Sequence, residues 1–115
     1  MHELAIASAV IDAVRAEARN RPGGRVRRVG LRVGELSGVE GDSLEFCFDA
    51  LVKGTALEGA ALSIEVCPRR HRCRACAREF VVVDYRTACP ACGEPDTEFV
   101  GGTELDLAYL EMEES

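Results

Sequence analysis

No stretch of this 115-residue chain approaches the ~18 consecutive apolar residues of a membrane-spanning helix. The first apolar run, Leu4 to Val14, is broken by Asp12 and preceded by Glu3 rather than by a basic leader, which argues against a transmembrane protein and a secreted precursor. An excess of basic charge is missing as well. The net charge is −6 and the pI near 4.9, which argues against a general binder of phosphate backbones, whose affinity comes from clustered Lys and Arg. There is no phosphate-binding glycine loop and no His–carboxylate–nucleophile set, so catalysis has no identifiable residues. Domain-scale repeats and low-complexity tracts are absent. Lysine nearly is: Lys53 is the only one among 14 basic residues, a bias of the coding genome. The sequence therefore points to a single acidic domain whose partner is a protein, a cation or both.

A chain of this length buries roughly two thirds of its unfolded surface, enough for one core but not for a second compact lobe without another staple. Leu4, Ile6, Val10, Ile11 and Val14 recur at helical spacing among alanines, predicting an amphipathic helix from Glu3 to about Arg19 that Pro22-Gly23-Gly24 ends. Val29, Leu31 and Val33 alternate with Arg28, Gly30 and Arg32, the period of a strand with one buried face. Gly34 to Gly41 is a connection. Asp42 with Glu45 resembles a capping box, and Leu44, Cys47, Phe48 and Leu51 form the stripe of a second helix that stops at Gly54. Two further alternating runs follow: Leu62, Ile64 and Val66 against Ser63, Glu65 and Cys67, then Leu105, Leu107 and Tyr109 against Glu104, Asp106 and Ala108. The expected fold is α+β, with two helices packed on a small three-stranded sheet formed by residues 1–67 and 103–115, and residues 68–102 inserted as a zinc-ribbon-like lobe. The acid-rich segment after Glu104 reads as a solvated edge strand and tail.

The insertion holds four of the six cysteines. Cys73-Arg-Ala-Cys76 and Cys89-Pro-Ala-Cys92-Gly93 are two C-x-x-C pairs that together supply four thiolates, enough to close a tetrahedral metal site. Disulfides suit an oxidising compartment, and a redox dithiol needs one such pair at a helix start rather than two facing each other. Zinc is favoured over iron, although Cys-Pro-x-Cys-Gly also occurs at rubredoxin iron sites, and a red colour would identify iron. Four thiolates leave no open position for substrate, so the metal is expected to be structural and to hold together a lobe whose main apolar content is Phe80 to Val83 with Phe99 and Val100. His71 reads as an exposed loop residue, with a replacement ligand as the alternative. Cys47 reads as a small buried hydrophobe on the second helix. Cys67 reads as a spare thiol, or as an alternate ligand during metal loading.

The chain begins Met1-His2-Glu3, and the whole sequence has only two histidines. A free terminal amine, the following backbone amides and an imidazole on residue 2 can close small chelate rings around one ion, giving the planar nitrogen field that Ni(II) or Cu(II) accepts. Glu3 can add a carboxylate or orient the imidazole. A residue as bulky as His2 protects the initiator methionine from removal.

Met1-His2-Glu3-Leu4, Val33-Gly34-Glu35-Leu36-Ser37, the stretch Ser43 to Asp49 and the two spaced C-x-x-C pairs resemble the HypA/HybF family of hydrogenase nickel-incorporation proteins, from residue 1 to about residue 110. The resemblance implies a nickel-binding α+β lobe and a zinc lobe. It implies delivery of Ni(II) during maturation of [NiFe]-hydrogenase, with a nickel-handling GTPase and the hydrogenase large subunit as partners. Carried onto this chain, the nickel site falls on Met1, His2 and Glu3, and the zinc ligands on Cys73, Cys76, Cys89 and Cys92. The expected protein is then a cytoplasmic metallochaperone, not an enzyme, monomeric, with no nucleic acid or membrane partner. The rival is a zinc-ribbon binding module whose Arg69, Arg70, Arg72, Arg74, Arg78 and Arg86 contact protein or nucleic acid. Five acids in the same segment weaken that reading.

Overall fold

The computed structural model describes residues 2–114. In chain order the elements are α1 (Glu3–Ala18), β1 (Gly24–Gly34), α2 (Gly41–Val52), β2 (Ala61–Cys67), β3 (Arg70–Cys73), β4 (Glu79–Val81), β5 (Thr97–Gly101) and β6 (Leu105–Glu114), an α+β fold as the periodicities predict. They divide into two compact units. The first runs to Arg32, resumes over Gly38–Glu65 and returns from Asp106; the second comprises Val33–Ser37 and Val66–Leu105. The cysteine-bearing unit thus takes in the connection after β1 as well as the segment expected to be inserted. Backbone hydrogen bonds explain this: Gly34 N–H donates to the Glu104 carbonyl (2.6 Å), Glu35 N–H to that of Cys67 (2.8 Å) and Leu36 N–H to that of Gly102 (2.7 Å).

In the first unit α1 packs against α2, and β1 is the middle strand of a sheet ordered β2-β1-β6. The helix follows its predicted span, yet the buried face is Ala7, Val10, Ile11 and Val14, while Leu4 is exposed. Leu4 lies one turn before Ala7 opens the packed stripe. The second helix departs further. It starts at Gly41 with Glu40 as N-cap and makes no side-chain cap, so Asp42 sits inside the first turn and forms no capping box with Glu45. The buried stripe is also narrower and turned from the expected one: Leu44, Phe48 and Val52 are buried, Cys47 is half-buried, and Leu51 is partly exposed. Full burial of Phe48 alone is worth about 1.5–3 kcal/mol.

Val29 and Leu31 are buried on one face of β1, and Val26 is buried nearer its start. On the other face Gly30 has no side chain because the ring of Tyr109 lies where a Cβ would stand. Arg27, Arg28 and Arg32 pair with Glu113, Glu111 and Asp106 in descending order, so β6 runs antiparallel to β1. The alternation predicted for β2 fails at its end: Leu62 is buried but Val66 is exposed and Cys67 buried, because the strand passes from the first unit to the second between Glu65 and Val66.

The second unit contains a sheet that periodicity did not reveal, ordered β4-β3-β5. Both pairings are antiparallel and bring Phe80 and Phe99 opposite His71. The unit has little else to bury. Val82, Cys73 and Cys89 are inside, while Val81, Val83 and Phe99 remain substantially exposed. Among the described residues no helix is long and apolar enough to cross a membrane.

Candidate metal centre

The four cysteines of the two C-x-x-C pairs meet in the second unit. Their sulfurs all lie within 4.8 Å of one another, a cluster that could hold a metal ion. The closest pairs cross between the two loops: Cys73 Sγ to Cys92 Sγ at 3.5 Å and Cys76 Sγ to Cys89 Sγ at 3.7 Å. Zn–S bonds of ~2.3 Å in a tetrahedron place sulfurs about 3.8 Å apart, so this donor set fits zinc.

The two loops are built alike, and the spacing dictates the build. Cys73 donates its N–H to the Arg78 carbonyl and Cys89 donates to that of Glu94, both at 2.9 Å, closing each loop at its base. Inside the first loop the N–H groups of Ala75 and Cys76 both point at Cys73 Sγ from 3.3 Å. Two residues between cysteines are what this requires, because the amides that follow the first sulfur must turn back onto it. Arg74 then ties the loops together, its Nε bonding Asp96 Oδ1 at 3.1 Å.

Those amides set the electrostatics. The N–H of Cys76, with that of Ala75, lowers the Cys73 thiol pKa. The N–H groups of Cys92 and Ala91 bring Cys89 down to about 7. Cys92 receives the N–H of Glu94, which pulls it down, but the sulfurs of Cys73, Cys89 and Cys76 together with burial push it up to about 12. Like charges this close cannot all form unaided. A cation resolves the conflict, since a coordinating thiol is deprotonated outright.

His71 is not part of the cluster, and it is not an exposed loop residue either. It lies on β3, 6% exposed, between the rings of Phe80 and Phe99 at centroid distances of 6.2 and 5.8 Å. Thr97 Oγ1 donates to the Thr87 carbonyl at 2.6 Å, so its remaining role toward His71 Nδ1, 3.0 Å away, is to accept. Nδ1 therefore carries the proton, and Nε2 accepts from Arg69 Nε at 3.1 Å. Burial, then the Arg69 charge, lowers the His71 pKa below its ordinary 6.5. With both nitrogens engaged, the ring is a polar core element.

The second cluster predicted from the sequence lies at the start of α1. Met1 falls outside the described residues. His2 is exposed and is the N-cap of α1 without a side-chain cap bond; its carbonyl accepts the Ile6 N–H at 3.1 Å. Glu3 accepts the backbone N–H of Glu40 on its Oε2 at 3.1 Å, and that bond, ahead of other influences, lowers its carboxyl pKa. Sequence reading missed Glu40, whose only advance signal is an acid at the predicted end of a connection.

Over residues 1–112 the chain matches the family described as “Hydrogenase/urease nickel incorporation, metallochaperone, hypA”. The chain belongs to the HypA family. Relatives named Hydrogenase maturation factor HypA include that of Chlorobaculum tepidum, 43% identical over 113 residues with 98% of this chain and 100% of the relative covered. Another, from Geobacter metallireducens, is 44% identical over the same shares. Among solved structures, that of the Ni metallochaperone HypA from Helicobacter pylori is similar with a TM-score of 0.68 at 24% identity, each chain fully covered. A second structure, titled HypA protein, gives 0.74 at 23% identity and shares the fold over 100% of this chain and 98% of that one. In this HypA chain the remaining cysteines stand apart from the sulfur cluster: Cys47 half-buried on α2, Cys67 buried at the end of β2.

Proposed function

We propose that this HypA chain is a nickel metallochaperone that binds Ni(II) through the Met1 amine, the His2 amide and imidazole and the Glu3 amide, and passes it on during maturation of [NiFe]-hydrogenase. The observation that carries this reading is the placement of His2 and Glu3. The imidazole is exposed and caps nothing, and Glu3 is the first residue of α1, where an N–H has no intrahelical acceptor and can be given up to a metal. An exposed site loads and unloads by ligand exchange, as a carrier requires. Cys73, Cys76, Cys89 and Cys92 hold zinc as a structural ion that closes the second unit. The thiolate set belongs in a reducing cytoplasm, where a nickel-handling GTPase and the hydrogenase large subunit are the partners of a monomeric, non-catalytic protein.

The rival binding module loses support from its own arginines. Arg70 pairs with Glu79 and Glu104, Arg72 with Glu79 and Arg74 with Asp96, and Arg69 bonds His71, so four of its six contact residues are already engaged. The test is Ni(II) calorimetry on tag-free protein, on His2→Ala, and on a chain extended by one residue before Met1. Loss of tight binding in both variants, with one zinc per chain retained by elemental analysis, is the expected result. Undiminished tight binding in both removes the terminal site.

A further inference from the structure

The second unit carries a turn whose residues folding does not explain. Val83 and Arg86 pair across it, the Arg86 N–H donating to the Val83 carbonyl at 3.1 Å. The two central residues, Asp84 and Tyr85, both have left-handed backbone, with φ of 52° and 62°. Hairpin turns of this kind favour Asn-Gly or Asp-Gly, because a side chain at the second position is disfavoured in that region. Tyr85 accepts that penalty although the residue is 88% exposed, so packing within the fold returns little for it.

Tyr85 does form a wall of something else. A cleft of about 370 Å³ is lined by Glu35, Leu36, Arg69, Val82, Asp84 and Tyr85, all within the second unit. Val82 is buried, Leu36 is 45% exposed, and the two acids are exposed. Arg69 is held by its bond to His71, and its backbone N–H faces Glu35 Oε2 at 3.4 Å. Asp84 makes no ion pair or side-chain hydrogen bond among the described residues. Two acids against Arg69, whose Nε is turned to His71, leave the lining at a net −1, and with an aromatic ring beside apolar side chains this suits a side chain that is aliphatic along its stem and cationic at its tip.

We propose that this cleft docks a protein partner through an inserted basic side chain, its stem against Leu36 and Val82, its cation beside the Tyr85 ring and the Asp84 and Glu35 carboxylates. Tyrosine is among the residues that dominate protein interfaces, and an exposed strained one is explained by a contact made outside the chain. This goes beyond nickel capture and does not depend on it, since neither the N-terminal residues nor the four thiols lie in the cleft.

The test uses zinc-loaded, ¹⁵N-labelled full-length protein titrated with the acetylated peptide amide Gly-Leu-Arg-Leu-Gly and with Gly-Leu-Glu-Leu-Gly as its acidic counterpart. The arginine peptide should shift the amides of Glu35, Leu36 and Val82 to Tyr85, and bind about tenfold more tightly than the acidic one. Asp84→Asn and Tyr85→Gly should each weaken it about fivefold, while Tyr85→Gly leaves the melting temperature unchanged or raised, because glycine fits the turn. The proposal is overturned by equal binding of the two peptides, by shifts confined to another face, by self-association of the protein through this cleft, or by a lowered melting temperature in Tyr85→Gly.

Discussion

Ala77 and Gly93 occupy the same place in the two cysteine loops, one residue past the second cysteine, and both have left-handed backbone, φ 66° and 79°. Each donates its N–H to the carbonyl of its loop's first cysteine, Ala77 to Cys73 at 2.9 Å and Gly93 to Cys89 at 2.8 Å. One position has the residue its conformation asks for and the other does not. Ala77→Gly should therefore stabilise the second unit by about 0.5–1 kcal/mol, since relief of the left-handed alanine outweighs the added freedom of the unfolded chain. A Cβ on Gly93 meets nothing within 4 Å, so Gly93→Ala should lose about 1 kcal/mol from conformation alone. Chemical denaturation of the zinc-loaded variants measures both.

Removing the metal should separate the two units. The second has a thin interior of Val33, His71, Val82 and three cysteines, whereas the first buries Phe48, Leu44, Leu31 and Val29 completely or almost so. Structural zinc contributes on the order of 10 kcal/mol or more to folding a small domain. After chelation, amide signals from 66–105 should collapse to unfolded positions while those of α1 and α2 persist. Survival of the β3 signals in metal-free protein would show that the fold does not need the ion.

What the sequence made legible followed local rules. The span of α1, the sheet-forming runs and the C-x-x-C loops each depend on spacing within a few residues, and each is where spacing placed it. What stayed hidden depends on partners far along the chain. His71 is buried because strand register sets it opposite Phe80 and Phe99, and the β2 alternation breaks because Val66 and Cys67 belong to the other unit. The bond from Glu40 to Glu3 joins two segments whose proximity only the packing of α2 on α1 creates.

His71 offers a test of that hidden interior. His71→Ala leaves Thr97 and Arg69 without their partner and opens space between two phenylalanines, so a loss of about 2–4 kcal/mol is expected from the second unit. The pH dependence has a definite sign. A pKa lowered by folding means the unfolded chain binds the proton more readily, so stability is full above 6.5 and falls as pH drops from there through the folded-state value. The imidazole resonance of His71 should accordingly titrate below 6.5 in the zinc-loaded protein.

The four thiols share one proton balance that a metal must displace. Cys89, lowered to about 7 against an ordinary 9.0, favours the thiolate; its contribution is full above 9.0 and lost as pH falls through 7. Cys92, pushed up to about 12 by the neighbouring sulfurs, holds its proton until a cation displaces it. Replacing any one of the four cysteines by serine should lower zinc affinity, measured by competition with a chromophoric chelator. Zinc should be released on acidification as protons compete for the four sulfurs.

The last prediction concerns the link between Glu3 and Glu40. The Glu3 carboxylate accepts the N–H of the α2 N-cap residue, the service that the third helical residue performs within a capping box, here supplied from another helix. It stands at once at the N-terminus of α1 and beside that of α2, where helix dipoles favour negative charge. The proposed nickel site and the start of α2 are therefore coupled through one side chain. Glu3→Gln keeps an acceptor oxygen and should preserve slow exchange of the Glu40 amide, whereas Glu3→Ala should accelerate it. If the carboxylate matters to nickel only by holding this geometry, Glu3→Gln should retain most of the affinity measured by calorimetry and Glu3→Ala should not; equal loss in both would assign the carboxylate a direct role at the ion.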